Sequence, residues 1–358
     1  MKESRSGFTI IEVLVSLTVV GLLMALLMPA IHAARESARR TQCSSNLHQL
    51  GVAMHSYHDS HNRLPPGTVS HFSSAKQAFD VLISQSGYFD QENATPETPW
   101  PLQLLSFLDQ STLSDRFDSD YGTFGFVDLT PPFLLTGLNA NSGVLAETQP
   151  IFRCPSDEST AFSYDIDALL GSAIGIQPLS CTRGNYAANW GNTTWEQSAD
   201  INGDGQADFG VKFLNAPFTR NQCVRFARFT DGLDLTVVLG EVRQGNGIDA
   251  RGAMLTPLPG GSIYMSRFLP NGKRDTHGFV PMTGGGSGDQ MPFPATCTSS
   301  EALPCSYNAV AHTSFAGSRS AHTGGVFVLT GGGRVRFMAN ETDESVWIAM
   351  HGIDEAEL

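Results

Sequence analysis

The chain has 358 residues, 41% of them hydrophobic and only 16% charged, with a net charge of -13. That is enough apolar material for a sizeable core and too much for a disordered chain. Residues 1–41 carry five basic residues (Lys2, Arg5, Arg35, Arg39, Arg40) against three acids (Glu3, Glu12, Glu36), so the acidic excess falls on the body of the chain. This argues against nucleic acid as a partner, because phosphate binding needs a basic surface.

Residues 8–31, FTIIEVLVSLTVVGLLMALLMPAI, hold a single charge, Glu12. As a helix these 24 residues span about 36 Å, enough to cross a bilayer. The polar segment before them, MKESRSG, is short and contains Lys2 and Arg5, and no A-x-A site follows the apolar run. The run therefore reads as retained, unlike a secretory signal. A carboxylate within the membrane core costs roughly 3 kcal/mol on insertion scales, so Glu12 needs a partner. Cutting the chain between Gly7 and Phe8 supplies one: a new α-amine four residues from Glu12, cationic near neutral pH.

This segment resembles the prepilin-type cleavage and methylation region of type IV pilins and type II secretion pseudopilins. The resemblance rests on the Gly7–Phe8 junction, Glu12 and Pro29. It implies cleavage after Gly7 by a membrane-embedded prepilin peptidase and methylation of the Phe8 amine. It also implies assembly with copies of itself and other pilin-like subunits, Glu12 facing a neighbour's terminus. The chain would be a single-pass inner-membrane protein with its head in the periplasm or outside the cell, open to extraction into a filament.

Past the apolar run, residues 30–61 contain no proline, and Leu47, Leu50, Met54 and Tyr57 recur on one helical face, with Gly51 beside them. The turn signal Asn62 to Gly67 closes the pattern. The spacing predicts one helix of about 54 residues, loosened at Pro29. His48, His55, His58 and His61 lie in it. The 55/58 pair stands at a spacing that two metal ligands can share, but histidines in a polar helical run are more often plain surface or helix-end residues.

The expected organisation is a cleaved leader (1–7), a transmembrane and assembly helix (8–31), its continuation (32–61) and an extracytoplasmic head (62–358). The head reads as α+β. The second half of the helix crosses an antiparallel sheet, and Gly-, Ser-, Thr- and Pro-rich loops at 68–99, 112–150 and 243–300 are inserted. FTDG (229–232) leads into a buried strand in LTVVLGEV, and VFVL (326–329) with RVRF (334–337) forms a hairpin across TGGG.

Residues 200–208, DINGDGQAD, place oxygen ligands at alternate positions: Asp200, Asn202, Asp204, the backbone of Gln206, and Asp208. This matches the first nine positions of an EF-hand-type calcium loop. Val211 stands where the bidentate glutamate belongs, and an acidic surface turn explains the run equally well. Calcium is the one cofactor this composition suggests. Six cysteines suit disulfides in an exported chain, and Cys297 with Cys305, closing a short loop, are the first candidates for a pair. No intact G-x-S-x-G, H-E-x-x-H, P-loop or Rossmann glycine pattern occurs, and the chain reads as a non-enzyme.

A second resemblance covers nearly the whole chain. Residues 27–67, WPLQLLSFLDQ (100–110), FRCPSD (152–157), NYAANWG (185–191), FTDGLDLTVVLGE (229–241) and AHTGGVFVLTGGGRVRFM (321–338) resemble pilin-like proteins whose body is a domain of unknown function ending in H-x9-D-G. His322 fits the histidine, while Gly332 and Gly333 stand where D-G is usual. The motif reads as structural. The competing function, a membrane-tethered binding module, draws on the oversized loops and the calcium-like run.

Overall fold

The computed structural model describes residues 9–70, 97–123, 140–157, 159, 161–164, 179–195, 197, 214–247, 249–273, 288–291, 297–307 and 314–354. Helix α1 runs without a break over Ile10–His61. Thr9 caps it: its side chain accepts from the Glu12 N–H, and the Glu12 carboxylate accepts from the Thr9 N–H, a reciprocal capping box. The helix continues through Pro29, which removes one internal hydrogen bond without ending it. Asn62, in the left-handed conformation, closes the C-terminus with its N–H on His58 O.

The two halves of α1 have different surroundings. Residues 9–35 are exposed at every position. From Cys43 onward one face is buried: Cys43, Asn46, Leu47, Leu50, Gly51, Ala53, Met54 and Tyr57, at the three-and-four spacing of a helix against a core.

That face lies on a five-stranded sheet of order β11-β10-β6-β5-β7. The strands are β5 (Tyr186–Asn189), β6 (Val237–Glu241), β7 (Ile263–Tyr264), β10 (Gly325–Thr330) and β11 (Val335–Ala339). All pairings are antiparallel apart from β5 with β7, which is parallel, so one edge departs from the expected antiparallel sheet. The hairpin expected across TGGG is β10–β11, and the strand expected after FTDG is β6, buried at every position. Along β10 the side chains alternate. Phe327 and Leu329 pack with the α1 face, and Val326 and Val328 pack with Trp347 of a short C-terminal helix, Glu344–Ala349 (α5). The sheet is thus covered by α1 on one side and by α5 on the other.

Shorter elements fill the head. They are β1 (Thr68–Ser70) with β2 (Glu97–Pro99), then the helices α2 (Trp100–Leu104), α3 (Ser111–Arg116) and α4 (Ser142–Ala146). β3 (Phe162–Tyr164) pairs with β4 (Leu179–Cys181), and β8 (Asp289–Met291) with β9 (Cys305–Tyr307).

Part of one expected inserted loop lies inside the head. Within 243–300, residues 249–268 are buried at every position and form a chain of turns inside the head. Arg251 lies there against Asp249 (2.6 Å) and Asp289 (3.1 Å), and Arg319 reaches Asp289 from the other side (2.9 Å). Each of these four buried charges has an opposite charge in contact, without which burial is prohibitive. Asp289 is held below its usual pKa because the two guanidiniums outweigh the opposing effect of burial.

Candidate functional site

Two regions stand out. The first is the apolar half of α1. Ile10, Ile11, Leu14, Leu17, Leu22 and Leu26 are all more than half exposed, an apolar area that nothing among the described residues covers. Within it, Glu12 Oε2 accepts from both the Thr9 N–H and the Thr9 hydroxyl, each at 2.8 Å. Gly7 and Phe8 lie outside the described residues.

The second region sits where α1 first meets the head. Glu36, Arg39, Arg40 and Cys43 lie on successive turns of α1, five to twelve residues past the apolar run. Cys43 is joined by a disulfide to Cys154, 111 residues away in sequence. Asn46, one turn on, donates to Arg153 O at 2.8 Å, so helix and loop are fastened twice. Over the disulfide lies His322, completely buried at its side chain, with Nε2 3.4 Å from Cys154 Sγ. Its Nδ1 stands 3.0 Å from Glu36 Oε1. Glu241, at the end of β6, brings Oε1 to 3.6 Å from His322 Nε2.

The protonation states follow from the surroundings. Burial lowers the His322 pKa, and the adjoining Glu36 offsets this only in part. Burial alone would raise Glu36, but hydrogen bonds and charge from His322 and Arg39 hold it below its usual value. A neutral imidazole donating Nδ1–H to an ionised Glu36 satisfies both. Glu241 is different: burial pushes it up to about 8 against the opposing pull of the Phe327 N–H, the Ser320 hydroxyl and Arg40. Its Oε2 accepts from the Phe327 N–H at 2.8 Å, while Oε1 is buried without a hydrogen-bond partner among the described residues. Beneath, Asp157 accepts from the Asn185 side chain and the Gln244 N–H, each at 2.7 Å. Arg40 stacks over the Phe337 ring at 4.4 Å.

Five of the six stretches that carry the second resemblance deliver a part: Glu36 and Cys43, Cys154 and Asp157, Asn185, Glu241, His322. The cluster joins the helix to the head at the end nearest the apolar segment. Apart from the half-exposed Glu36, the side chains of Cys43, Cys154, Glu241 and His322 are closed in, so the cluster works as a clasp between helix and sheet.

Of the other expected site residues, Gly332 and Gly333 do not join His322. They form the β10–β11 turn against the opposite stretch of α1, where His48 meets Gly333 O and His55 meets Gly331 O. The positive φ the turn needs belongs to Gly333 (+81°), not to Gly332. At Gly332 a Cβ would overlap the Asp234 carboxylate, which stands in the space an Asp at this position would fill. The 55/58 histidine pair is taken up otherwise: both rings pack on Phe226, and His58 Nε2 faces the Phe226 N–H at 3.4 Å. Cys297 and Cys305 are disulfide-bonded, with Cys305 beside Arg251. Asp200, Asn202, Asp204, Gln206 and Asp208 lie outside the described residues. Sequence reasoning missed Glu36, Cys43, Cys154 and Glu241. Their signal was present only as membership in the resembling stretches.

Comparison with known proteins decides the family. The family described as "Protein of unknown function (DUF1559)" matches residues 32–345, nearly the whole chain beyond the apolar segment. The chain belongs to the DUF1559 family. In this DUF1559 protein the prokaryotic N-terminal methylation motif matches residues 3–28. Over 119 residues it is 28% identical to the type II secretion system core protein G of Aeromonas hydrophila, covering 29% of this chain and 76% of that protein. No solved structure matches. Motif, similarity and the exposed apolar helix together make this DUF1559 protein pilin-like, of the pseudopilin kind, anchored by α1 in a membrane.

Proposed function

We propose that the chain is a structural subunit of a type II secretion pseudopilus or a related filament. Prepilin peptidase cuts it between Gly7 and Phe8, and the new Phe8 amine is methylated. The mature chain rests in the inner membrane with its head in the periplasm until it joins copies of itself and other pilin-like subunits. The observation that carries this reading is the exposure of α1 from Thr9 to Arg35 while the rest of the helix is fixed to the head. A rigid head on an uncovered apolar rod suits lateral packing of rods, first against lipid and then against one another.

Glu12 sets the register. In the chain described here its carboxylate caps the helix through Thr9. Removal of residues 1–7 places a charged amine one turn away, on its own chain or on a neighbour's. Glu12→Ala is expected to leave membrane insertion intact and to lower incorporation into filaments, read as the ratio of sheared to membrane-bound protein. A normal ratio counts against the register role.

A further inference from the structure

We infer that Cys43, Cys154, His322 and Glu241 form a redox-gated metal site, which binds one zinc-like divalent ion when the Cys43–Cys154 disulfide is reduced. Four groups of metal-ligand chemistry meet here, their ligand atoms all within 4.8 Å of one another and all four residues buried. They come from four separate parts of the chain: α1, the loop after Phe152, the end of β6 and the strand-leading segment before β10.

Two of the ligand–ligand distances already suit a tetrahedral centre. Zinc bonds of about 2.0–2.3 Å place neighbouring ligand atoms roughly 3.3–3.7 Å apart. His322 Nε2 stands 3.4 Å from Cys154 Sγ and 3.6 Å from Glu241 Oε1. The two sulfurs, bonded in the disulfide, separate to van der Waals distance on reduction, and that distance is close to the roughly 3.7 Å between thiolates on one zinc.

Two further observations point to a ligand. Glu241 Oε1 is buried, turned into the cluster and without a hydrogen-bond partner among the described residues, a costly arrangement that an ion would relieve. His322 also carries the outer partner that metal-binding histidines use. Glu36 Oε1 lies 3.0 Å from Nδ1, which places the proton there and leaves the Nε2 lone pair facing the cluster. Two thiolates, a neutral imidazole and a carboxylate around a divalent ion leave a single net negative charge. Arg40, close enough to act electrostatically on both Glu241 and His322, offsets it.

The redox step balances simply. A dithiol reductant gives two electrons and two protons to the Cys43–Cys154 bond and closes its own disulfide. The two thiols and the Glu241 carboxyl group, whose burial keeps it protonated, then lose their protons to solvent as the ion binds. Disulfide and metal are alternative fastenings of the same contact, since both use the same sulfur atoms. The redox poise of the compartment selects between them.

The test uses the full chain in detergent micelles. One sample is oxidised; the other is reduced, freed of reductant without air, given zinc and desalted. Elemental analysis is expected to find one zinc per reduced chain and none per oxidised chain. Cobalt in place of zinc is expected to show tetrahedral ligand-field bands with thiolate charge transfer. Cys154→Ser is expected to abolish binding, whereas Cys223→Ser leaves it unchanged. Glu36→Gln, a half-exposed side chain whose loss does not threaten folding, is expected to weaken zinc binding by about 10–100-fold, as for other outer partners. Zinc is also expected to slow reoxidation of the Cys43–Cys154 pair. No zinc in the reduced chain overturns the proposal, as does binding unchanged by Cys154→Ser and Glu36→Gln. A reduced chain whose circular dichroism collapses and is not restored by zinc overturns it too.

Discussion

Replacing Gly51 by alanine and by leucine separates helix propensity from packing at the contact between α1 and the sheet. Within a helix, glycine is less favourable than alanine or leucine by about 1 kcal/mol, so propensity alone makes both substitutions stabilising. The structure opposes that gain. A Cβ at Gly51 would stand 3.0 and 3.2 Å from the two methyl carbons of Leu329 and 3.7 Å from Gly333 Cα. Leu329 is fully buried, and both its methyls already face the helix, so turning the side chain exchanges one for the other and opens no room. Alanine therefore gains from propensity about what it loses to crowding, and its net effect is expected within about 1 kcal/mol of zero. Leucine adds three more carbons to the same filled gap. Overpacking costs about 1–3 kcal/mol, so Gly51→Leu is expected to lower stability by about 2 kcal/mol. Urea unfolding of the full chain in detergent, followed by tryptophan fluorescence, measures both. A Gly51→Leu chain about 1 kcal/mol more stable than wild type would refute the docking of α1 on β10.

Three other outcomes follow from particular residues. His351 is fully buried, its Nδ1 on Trp347 O and its Nε2 on the Tyr264 hydroxyl, and burial brings its pKa down to about 4 from 6.5. The unfolded chain takes up this proton first, so stability falls as pH drops from 6.5 towards 4, by about 3 kcal/mol in all. His351→Asn keeps a donor for Trp347 O and is expected to remove that share of the acid sensitivity; an unchanged pH slope in urea midpoints contradicts it. Gly332→Asp is expected to destabilise the β10–β11 turn by about 1 kcal/mol, from two carboxylates in one space, and Asp234→Gly is expected to reverse the loss; equal losses in both backgrounds remove Asp234 from the explanation. For residues 200–208, calorimetric titration with calcium is expected to give heat in the wild type and none in Asp204→Ala, and silence in both rules the site out.

Much of the fold was legible because its signals are local. The apolar run to Ile31, the spacing of Leu47, Leu50, Met54 and Tyr57, and the Asn62–Gly67 turn define α1 without reference to anything else in the chain. The β10–β11 hairpin is written in an apolar run, VFVL, and an alternating one, RVRF, around glycines. The clasp was not legible, because it depends on distance in space. Nothing in the sequence near Cys43 says that its partner lies 111 residues on. Nor does anything near Glu241 say that an acid ending an apolar strand stays inside.

Composition also fell short between residues 249 and 268, where it read only as part of an inserted loop and said nothing of burial. Here glycine serves close approach. A Cβ at Gly260 would press on Arg251 and one at Gly317 would meet the Phe268 ring, so bare backbone lets irregular turns pack as a core. The H-x9-D-G comparison placed His322 at the clasp but its glycines at a separate contact, since β10 carries the chain between them across the sheet.

An acid in an apolar helix finds its counter-charge in an amine created by cutting. Intact-mass and N-terminal fragment analysis of the chain from its native membrane tests this directly. The account predicts a mature chain that begins at Phe8, lacks residues 1–7 and carries one methyl group on its first nitrogen. A chain that retains Met1, or one that begins beyond Ile31, contradicts it.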